Sequence, residues 1–130
     1  MPHFILEHSA GLADRAGVRN ALRRLHDAAA DSGVVSAIDL KMRAIPVDSW
    51  LVAGTAMPFA HLTVRLLEGR MPETKLALSK ALLAVLTDCF PDIERLSVEM
   101  QDMDGFSYKK RPYATEAAHA AAVPDDSPAA

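Results

Sequence analysis

Cysteine is nearly absent. Cys89 is the only one in 130 residues, so no disulfide can form within the chain and a scaffold held by bridges is excluded. Aromatic residues make up only 5%, and no apolar run approaches the roughly 18 uncharged residues of a membrane span. A basic surplus is missing too: 14 Lys and Arg stand against 17 Asp and Glu, a formal charge of −3. That balance supplies no electrostatic footprint for nucleic acid. The start, Met1-Pro2-His3, is followed only by Phe4, Ile5 and Leu6 before Glu7 interrupts, which is too short for the apolar segment of a secretory signal. No serine stands in a nucleophile elbow and no glycine-rich phosphate loop occurs. His3, His8, His26, His61 and His119 show none of the spacings of a metal site, and no cysteine or carboxylate cluster accompanies them. These absences lead to the expectation of a cytoplasmic protein with no metal, nucleic-acid or membrane partner, its thiol kept reduced.

What remains is ample material for one domain. Half of the residues are apolar, and a chain of this length buries roughly two thirds of the surface its unfolded form exposes. Residues 2–8 alternate, with Pro2, Phe4, Leu6 and His8 on one side, which predicts a strand. Val18, Leu22, Leu25 and Ala29 recur at helical spacing, so a helix is expected at about 12–31, capped by Ser9 or Asp14 and ended by Gly33. From Ala37 the period returns to two: Ile38, Leu40, Met42 and Ala44 alternate with Asp39, Lys41 and Arg43. Pro46 should end this strand or place it at a sheet edge. A connection at 46–58 carries Trp50, the single tryptophan. The pattern then repeats: a strand from Phe59 to Leu67, a turn at Glu68-Gly69-Arg70, a helix opened by Pro72 with Leu76, Leu83, Leu86 and Phe90 on one side, and a strand at Leu96–Gln101. Asp104-Gly105 marks a turn.

The chain therefore reads β-α-β twice, in units at about 2–46 and 59–102. The expected fold is an α/β, or α+β, two-layer sandwich: one four-stranded sheet with both helices on a single face and parallel strands within each unit. The uncovered face is expected to expose Leu or Met and to call for an oligomeric partner. The domain is expected to span 1–113. The Ala-, Pro- and Asp-rich stretch 114–130 reads as a disordered tail, with a weak alanine-rich helix at most over 116–122.

Three segments carry a resemblance. The opening Met1-Pro2-His3-Phe4-Ile5-Leu6-Glu7, and the basic pair Lys41 and Arg43 followed by Val47-Asp48-Ser49-Trp50, resemble 5-carboxymethyl-2-hydroxymuconate isomerases. Leu66-Leu67-Glu68-Gly69-Arg70 leading into a helix is similar to the segment after the first strand of 4-oxalocrotonate tautomerase, a relative built from one such unit. The resemblance covers about residues 2–110. It implies a tautomerase-like, trimeric isomerase of aromatic catabolism with no cofactor, acting on a dicarboxylic or tricarboxylic dienol. Removal of Met1 would expose the Pro2 amine as catalytic acid and base, with Arg43, Arg70 and Lys41 as substrate-binding cations. Lys41 stands where the family more often has arginine, which keeps the charge and loses the planar fork.

General chemistry agrees with those roles. An α-amino group titrates near 7.7–8.0, and an apolar cleft with nearby cations would lower that further. A strand would hold the nitrogen, here expected at a sheet edge, in place. Two further readings are a hydratase or dehalogenase of small unsaturated acids, with Glu99 or Glu7 activating water, and a non-catalytic trimeric binding protein. Among the other side chains, Trp50 and Phe106 are expected to pack, Cys89 to be a small core residue, and His61 to be a satisfied structural histidine. Lys109-Lys110-Arg111 is expected to be solvated.

Overall fold

The computed structural model describes residues 1–114. The expected tail falls outside the described residues except for Ala114, and His119 falls outside them too.

Six main elements follow the expected order: β1 (His3–Ser9), α1 (Arg15–Asp31), β2 (Lys41–Val47), β3 (Phe59–Leu67), α2 (Pro72–Cys89) and β4 (Arg95–Met103). They form one sheet in the order β2-β1-β3-β4. β1 and β2 are parallel, as are β3 and β4, and the two units meet through antiparallel β1 and β3. The first strand of each unit is thus central. Pro2 opens an inner strand rather than one at the sheet edge, because the units join through their first strands. Pro46 lies within β2 opposite His8, and β2 is an edge strand, where a missing N–H is tolerated.

Period two on the inner strands sorts the sheet into two faces. Phe4 and Leu6 of β1 and Ala60, Leu62, Val64 and Leu66 of β3 form one buried cluster with Ala21, Leu25 and Ala29 of α1 and Leu78, Leu82 and Leu86 of α2. Both helices therefore cover the same face, and each fully buried Leu or Phe contributes roughly 1.5–3 kcal/mol. The other face differs from expectation. It carries His3, Glu7, Lys41, Arg43, His61, Thr63, Arg65, Ser97, Glu99 and Gln101, with Ile5 half-buried and Ile45 exposed among them. Leu62, Val64, Leu96, Val98 and Met100 have the opposite parity and turn to the helices, so the middle of the open face is polar, with half-buried Phe59 and Leu67 and buried Met103 on it only at the strand ends.

Local sequence explains the helix ends. Asp14 caps α1, its carboxylate accepting the Gly17 N–H at 2.7 Å, so the helix starts at Arg15 and not near residue 12. Ser9 instead donates to the Phe59 carbonyl across the sheet. Gly33 adopts φ +74° just past the end of α1, a conformation that favours glycine. Residues Ala37–Asp39 make a single 3-10 turn, so β2 begins at Lys41, four residues later than the alternation suggested. In α2 the buried stripe is Leu78, Leu82 and Leu86, while Leu76 is 54% and Leu83 38% exposed. Leu86 and Phe90 are buried as the spacing predicted, but leucine recurs on several sides of this helix, so periodicity alone misplaced Leu76 and Leu83.

Candidate active site

Two parallel strands start where an antiparallel neighbour ends, and that geometry gathers side chains from distant parts of the chain. His3 lies opposite Lys41 of β2 on one side and Arg65 of β3 on the other. His3, Lys41, Arg43 and Arg65 share the polar face at this end of the sheet.

The chain terminus sits among charges. The Met1 amine donates to the Asp39 carbonyl at 2.8 Å and lies 3.7 Å from the Asp39 carboxylate. Lys41 Nζ donates to the same carbonyl and to the Tyr113 hydroxyl, both at 3.1 Å. The Lys41 backbone N–H donates to the carbonyl of Pro2, itself buried, at 3.2 Å. Lys110 Nζ reaches the Asp39 carboxylate at 3.1 Å and lies 4.0 Å from the centre of the Tyr113 ring. It is therefore engaged and not simply solvated, because the chain after β4 folds back over the terminus.

Partial burial, and next the Lys41 ammonium, push the terminal amine down from 8.0 to about 6, against the opposing pull of Asp39. Burial would lower Lys41 as well, but its bonds to Tyr113 and the terminal amine outweigh this and raise it. At neutral pH the amine is thus the uncharged member of the pair and Lys41 the cation. Asp39 stays below the usual carboxylate range: burial opposes this, and the Lys110 bond and the terminal amine more than offset it.

Arg43 Nη1 lies 3.2 Å from His3 Nδ1, and His3 Nε2 lies 3.0 Å from the Tyr108 hydroxyl. Arginine only donates, so Nδ1 is the acceptor and Nε2–H donates to Tyr108. Burial, followed by Arg43 and Lys41, holds His3 below its ordinary value, which keeps the ring neutral.

Arg70 is placed differently. Nη1 donates to the Leu67 carbonyl at 2.9 Å and Nη2 to the Val34 carbonyl at 3.3 Å. The guanidinium thus ties the turn after β3 to the loop after α1 at the same end of the sheet, and its other N–H donors remain. Arg70→Ala is expected to cost about 1.5–3 kcal/mol, the range for hydrogen bonds to a charged group, read as a lower urea midpoint with an unchanged slope.

The structure brings Pro2, Lys41 and Arg43 to one end of β1 and β2 and leaves Arg70 clamped on backbone. Sequence reading missed Asp39, Arg65, Tyr108, Lys110 and Tyr113 as neighbours of the terminus. Arg65 had a signal, since it shares the parity of His61 and Thr63 on β3. Tyr108 and Tyr113 had none, lying past the last periodic element.

Glu99 accepts from Gln101 at 3.1 Å and is bonded by His61 Nε2 at 2.7 Å, while His61 Nδ1 meets Ser97 Oγ at 2.6 Å. The His61 bond holds Glu99 below its ordinary value. His61 is thus a satisfied cross-strand histidine, as expected. Trp50 packs as expected too, with Nε1 donating to the Met57 carbonyl and its ring 6.4 Å from that of Phe59. Phe106 does not pack; it is 89% exposed. Cys89 is half-buried against the core. An open hollow of about 720 Å³ beside Asp48, Ser49 and Trp50 lies at the far end of β2, remote from the cations. Among the described residues no cluster of His, Cys, Asp or Glu could hold a metal, and no helix is long and apolar enough to cross a membrane.

Solved structures share this fold. A 5-carboxymethyl-2-hydroxymuconate isomerase from Deinococcus radiodurans R1 superimposes with a TM-score of 0.75 at 25% identity, covering 86% of this chain and 90% of that one. A symmetric trimer of the fused 4-OT called Q0 gives 0.70 at 23% identity, covering 78% and 85%. N1, a member of the cis-3-chloroacrylic acid dehalogenase family, gives 0.73 at 16% identity, covering 94% and 92%. Paired β-α-β units in one sheet, with the terminus among cations, define a protein of the tautomerase class. The sequence matches the 5-carboxymethyl-2-hydroxymuconate isomerase family over residues 2–116, and the chain belongs to that family. It is an isomerase. No curated protein matches the sequence.

Proposed function

We propose that this isomerase is a cofactor-independent tautomerase that moves a proton from the 2-hydroxyl to C-5 of a dienol carboxylate such as 5-carboxymethyl-2-hydroxymuconate. Removal of Met1 makes the Pro2 nitrogen the terminal amine. That nitrogen takes the hydroxyl proton, the O–H electrons form the C-2 carbonyl, and the double bonds shift to C-3=C-4. C-5 then takes a proton from the prolinium. The observation that carries this reading is the placement of the terminus: Pro2 is buried at the head of β1 beside Lys41, where burial and the Lys41 ammonium lower the amine of Met1 and would act in the same direction on a Pro2 amine. A base titrating near the working pH is the most effective.

Arg43 and Lys41 bind substrate carboxylate in this scheme and stabilise charge developing on the 2-oxygen. Arg70 supplies a third cation from its clamped turn. Glu99 is already bonded to His61 and Gln101, which argues against its activating water. A homotrimer fits the trimeric state stated for the fused 4-OT structures Q0 and F6, and a cytoplasmic location fits the single cysteine.

Intact mass is the first test, since the scheme requires a species lacking Met1. Ketonisation of 2-hydroxymuconate, followed by loss of ultraviolet absorbance, is the second. The profile of kcat/KM should rise with pH and level off above a single break below the 7.7–8.0 of an ordinary α-amine, because burial and Lys41 disfavour the ammonium form at this terminus. A break near 8, the ordinary value, would mean that the surroundings do not tune the base. Arg43→Ala should chiefly raise KM if it only holds substrate and lower kcat if it acts in the transition state.

A further inference from the structure

We infer that Phe106 of one chain seats in the hollow beside Trp50 of a second copy, so that subunits join head to tail through a ring and a preformed loop. The inference rests on the proposed homotrimer for the number of copies and on separate geometry for the surfaces that meet.

Each end of the sheet presents one half of this contact. Past the end of β4, Phe106 is the most exposed large apolar side chain among the described residues, at 89%. Its turn is tightly held. The Gly105 N–H donates to the Glu68 carboxylate at 3.0 Å, and the Asp104 carboxylate accepts the N–H groups of Phe106 at 3.3 Å and Ser107 at 3.1 Å. The Tyr108 N–H closes the turn on the Asp104 carbonyl at 3.0 Å. A segment fixed before contact loses little freedom on docking. Past the end of β2, Trp50, Leu51 and Ala56 line the open hollow of about 720 Å³ together with Asp48 and Ser49. Leu51 is 77% exposed there. This loop is formed in advance as well: Val52 and Thr55 exchange backbone bonds at 2.9 Å, and Trp50 Nε1 donates to the Met57 carbonyl. An apolar cavity of about 150 Å³ already holds benzene, so the hollow has room for the ring and part of its turn.

Charge matches across the same contact. Asp48 has no ion-pair partner among the described residues, and neither has Lys109 or Arg111, which follow Phe106 closely in the chain. Docked, the two cations lie over the acid at the rim of the hollow. One chain cannot make this contact with itself, because the halves lie beyond opposite ends of the sheet. β4 alone has nine residues, about 30 Å at the usual rise of a strand. A contact between unlike patches is heterologous, and repeated around a ring it leaves no patch unused.

Trp50 is the single tryptophan, so its emission reads the hollow directly. The parent, diluted and followed by sedimentation velocity and fluorescence, should assemble with a blue shift of Trp50. Phe106→Asp should raise the midpoint concentration for assembly at least about 30-fold, the effect of losing a central aromatic anchor, and abolish the shift. Asp48→Lys should weaken assembly, and Lys109→Glu with Arg111→Glu in the same chain should restore it. Far-ultraviolet circular dichroism should stay unchanged, since all of these side chains are exposed. Independently of those variants, co-expressed Phe106→Cys and Leu51→Cys chains should form a disulfide-linked pair that neither chain forms alone. An assembled parent matched by Phe106→Asp, or no linked pair, would overturn this contact and leave the homotrimer standing. A monomeric parent would overturn both. Loss of the blue shift when the chain is ended at Ala114, with no effect of Phe106→Asp, would put the chain's own end in the hollow and overturn the contact too.

Discussion

Pro2→Ala is expected to lower kcat for ketonisation at least about a hundredfold, within the typical contribution of a positioned acid or base. The variant keeps a terminal amine once Met1 is removed, so the loss comes from placement. The pyrrolidine ring blocks rotation about the N–Cα bond and leaves the nitrogen one lone pair in a set direction. A primary amine on alanine rotates, carries more N–H groups and draws more water into the site. The sheet fixes the residue from its other side through the bond from the Lys41 N–H to the Pro2 carbonyl at 3.2 Å. The measurement is the pre-steady-state or saturating rate with 2-hydroxymuconate at pH 7.5. Rates equal to the parent would remove Pro2 from the chemistry.

Leu82→Ala should lose about 2–5 kcal/mol of folding stability, the range for large-to-small changes in a closed core. Leu82 is 0% exposed, and its neighbour Leu83 is 38% exposed, so Leu83→Ala should cost under about 1 kcal/mol. Urea unfolding of the two variants measures the difference. The contrast matters because the sequence pattern alone put Leu83 on the buried stripe. Similar losses in both would mean that α2 packs in a different phase from the one described.

How far the sequence could be read depended on where its periodicity was unambiguous. The inner strand β1 alternates cleanly, so the shared side of Phe4 and Leu6 was legible, whereas β3 read only as a mixed apolar strand and its buried parity did not show. The two-unit architecture followed from the recurrence of strand, helix and strand. α2 was legible as a helix but not in its orientation, since leucine occupies several of its faces and only contact with α1 and the sheet decides among them. Asp39 looked like one more alternating strand residue. Its backbone is instead in a 3-10 turn, where its carbonyl receives the terminal amine. Pro2, Lys41 and Arg43 were visible because a family resemblance singled them out; composition and spacing would have left them as an unremarkable start and a wet strand face. Arg70 was visible by the same route, yet its contacts are with backbone carbonyls. Tyr108, Lys110 and Tyr113 were hidden because the return of the chain over the terminus is a long-range event that leaves no periodic trace.

The antiparallel junction of the two units has a consequence for stoichiometry. Met57-Pro58 precedes β3 as Met1-Pro2 precedes β1, but at the opposite end of the sheet, and the Pro58 nitrogen is locked in a peptide bond with no lone pair to offer. Under the proposed chemistry each polypeptide therefore carries a single proton shuttle in spite of its doubled architecture, and only one imino group per chain should titrate near neutrality.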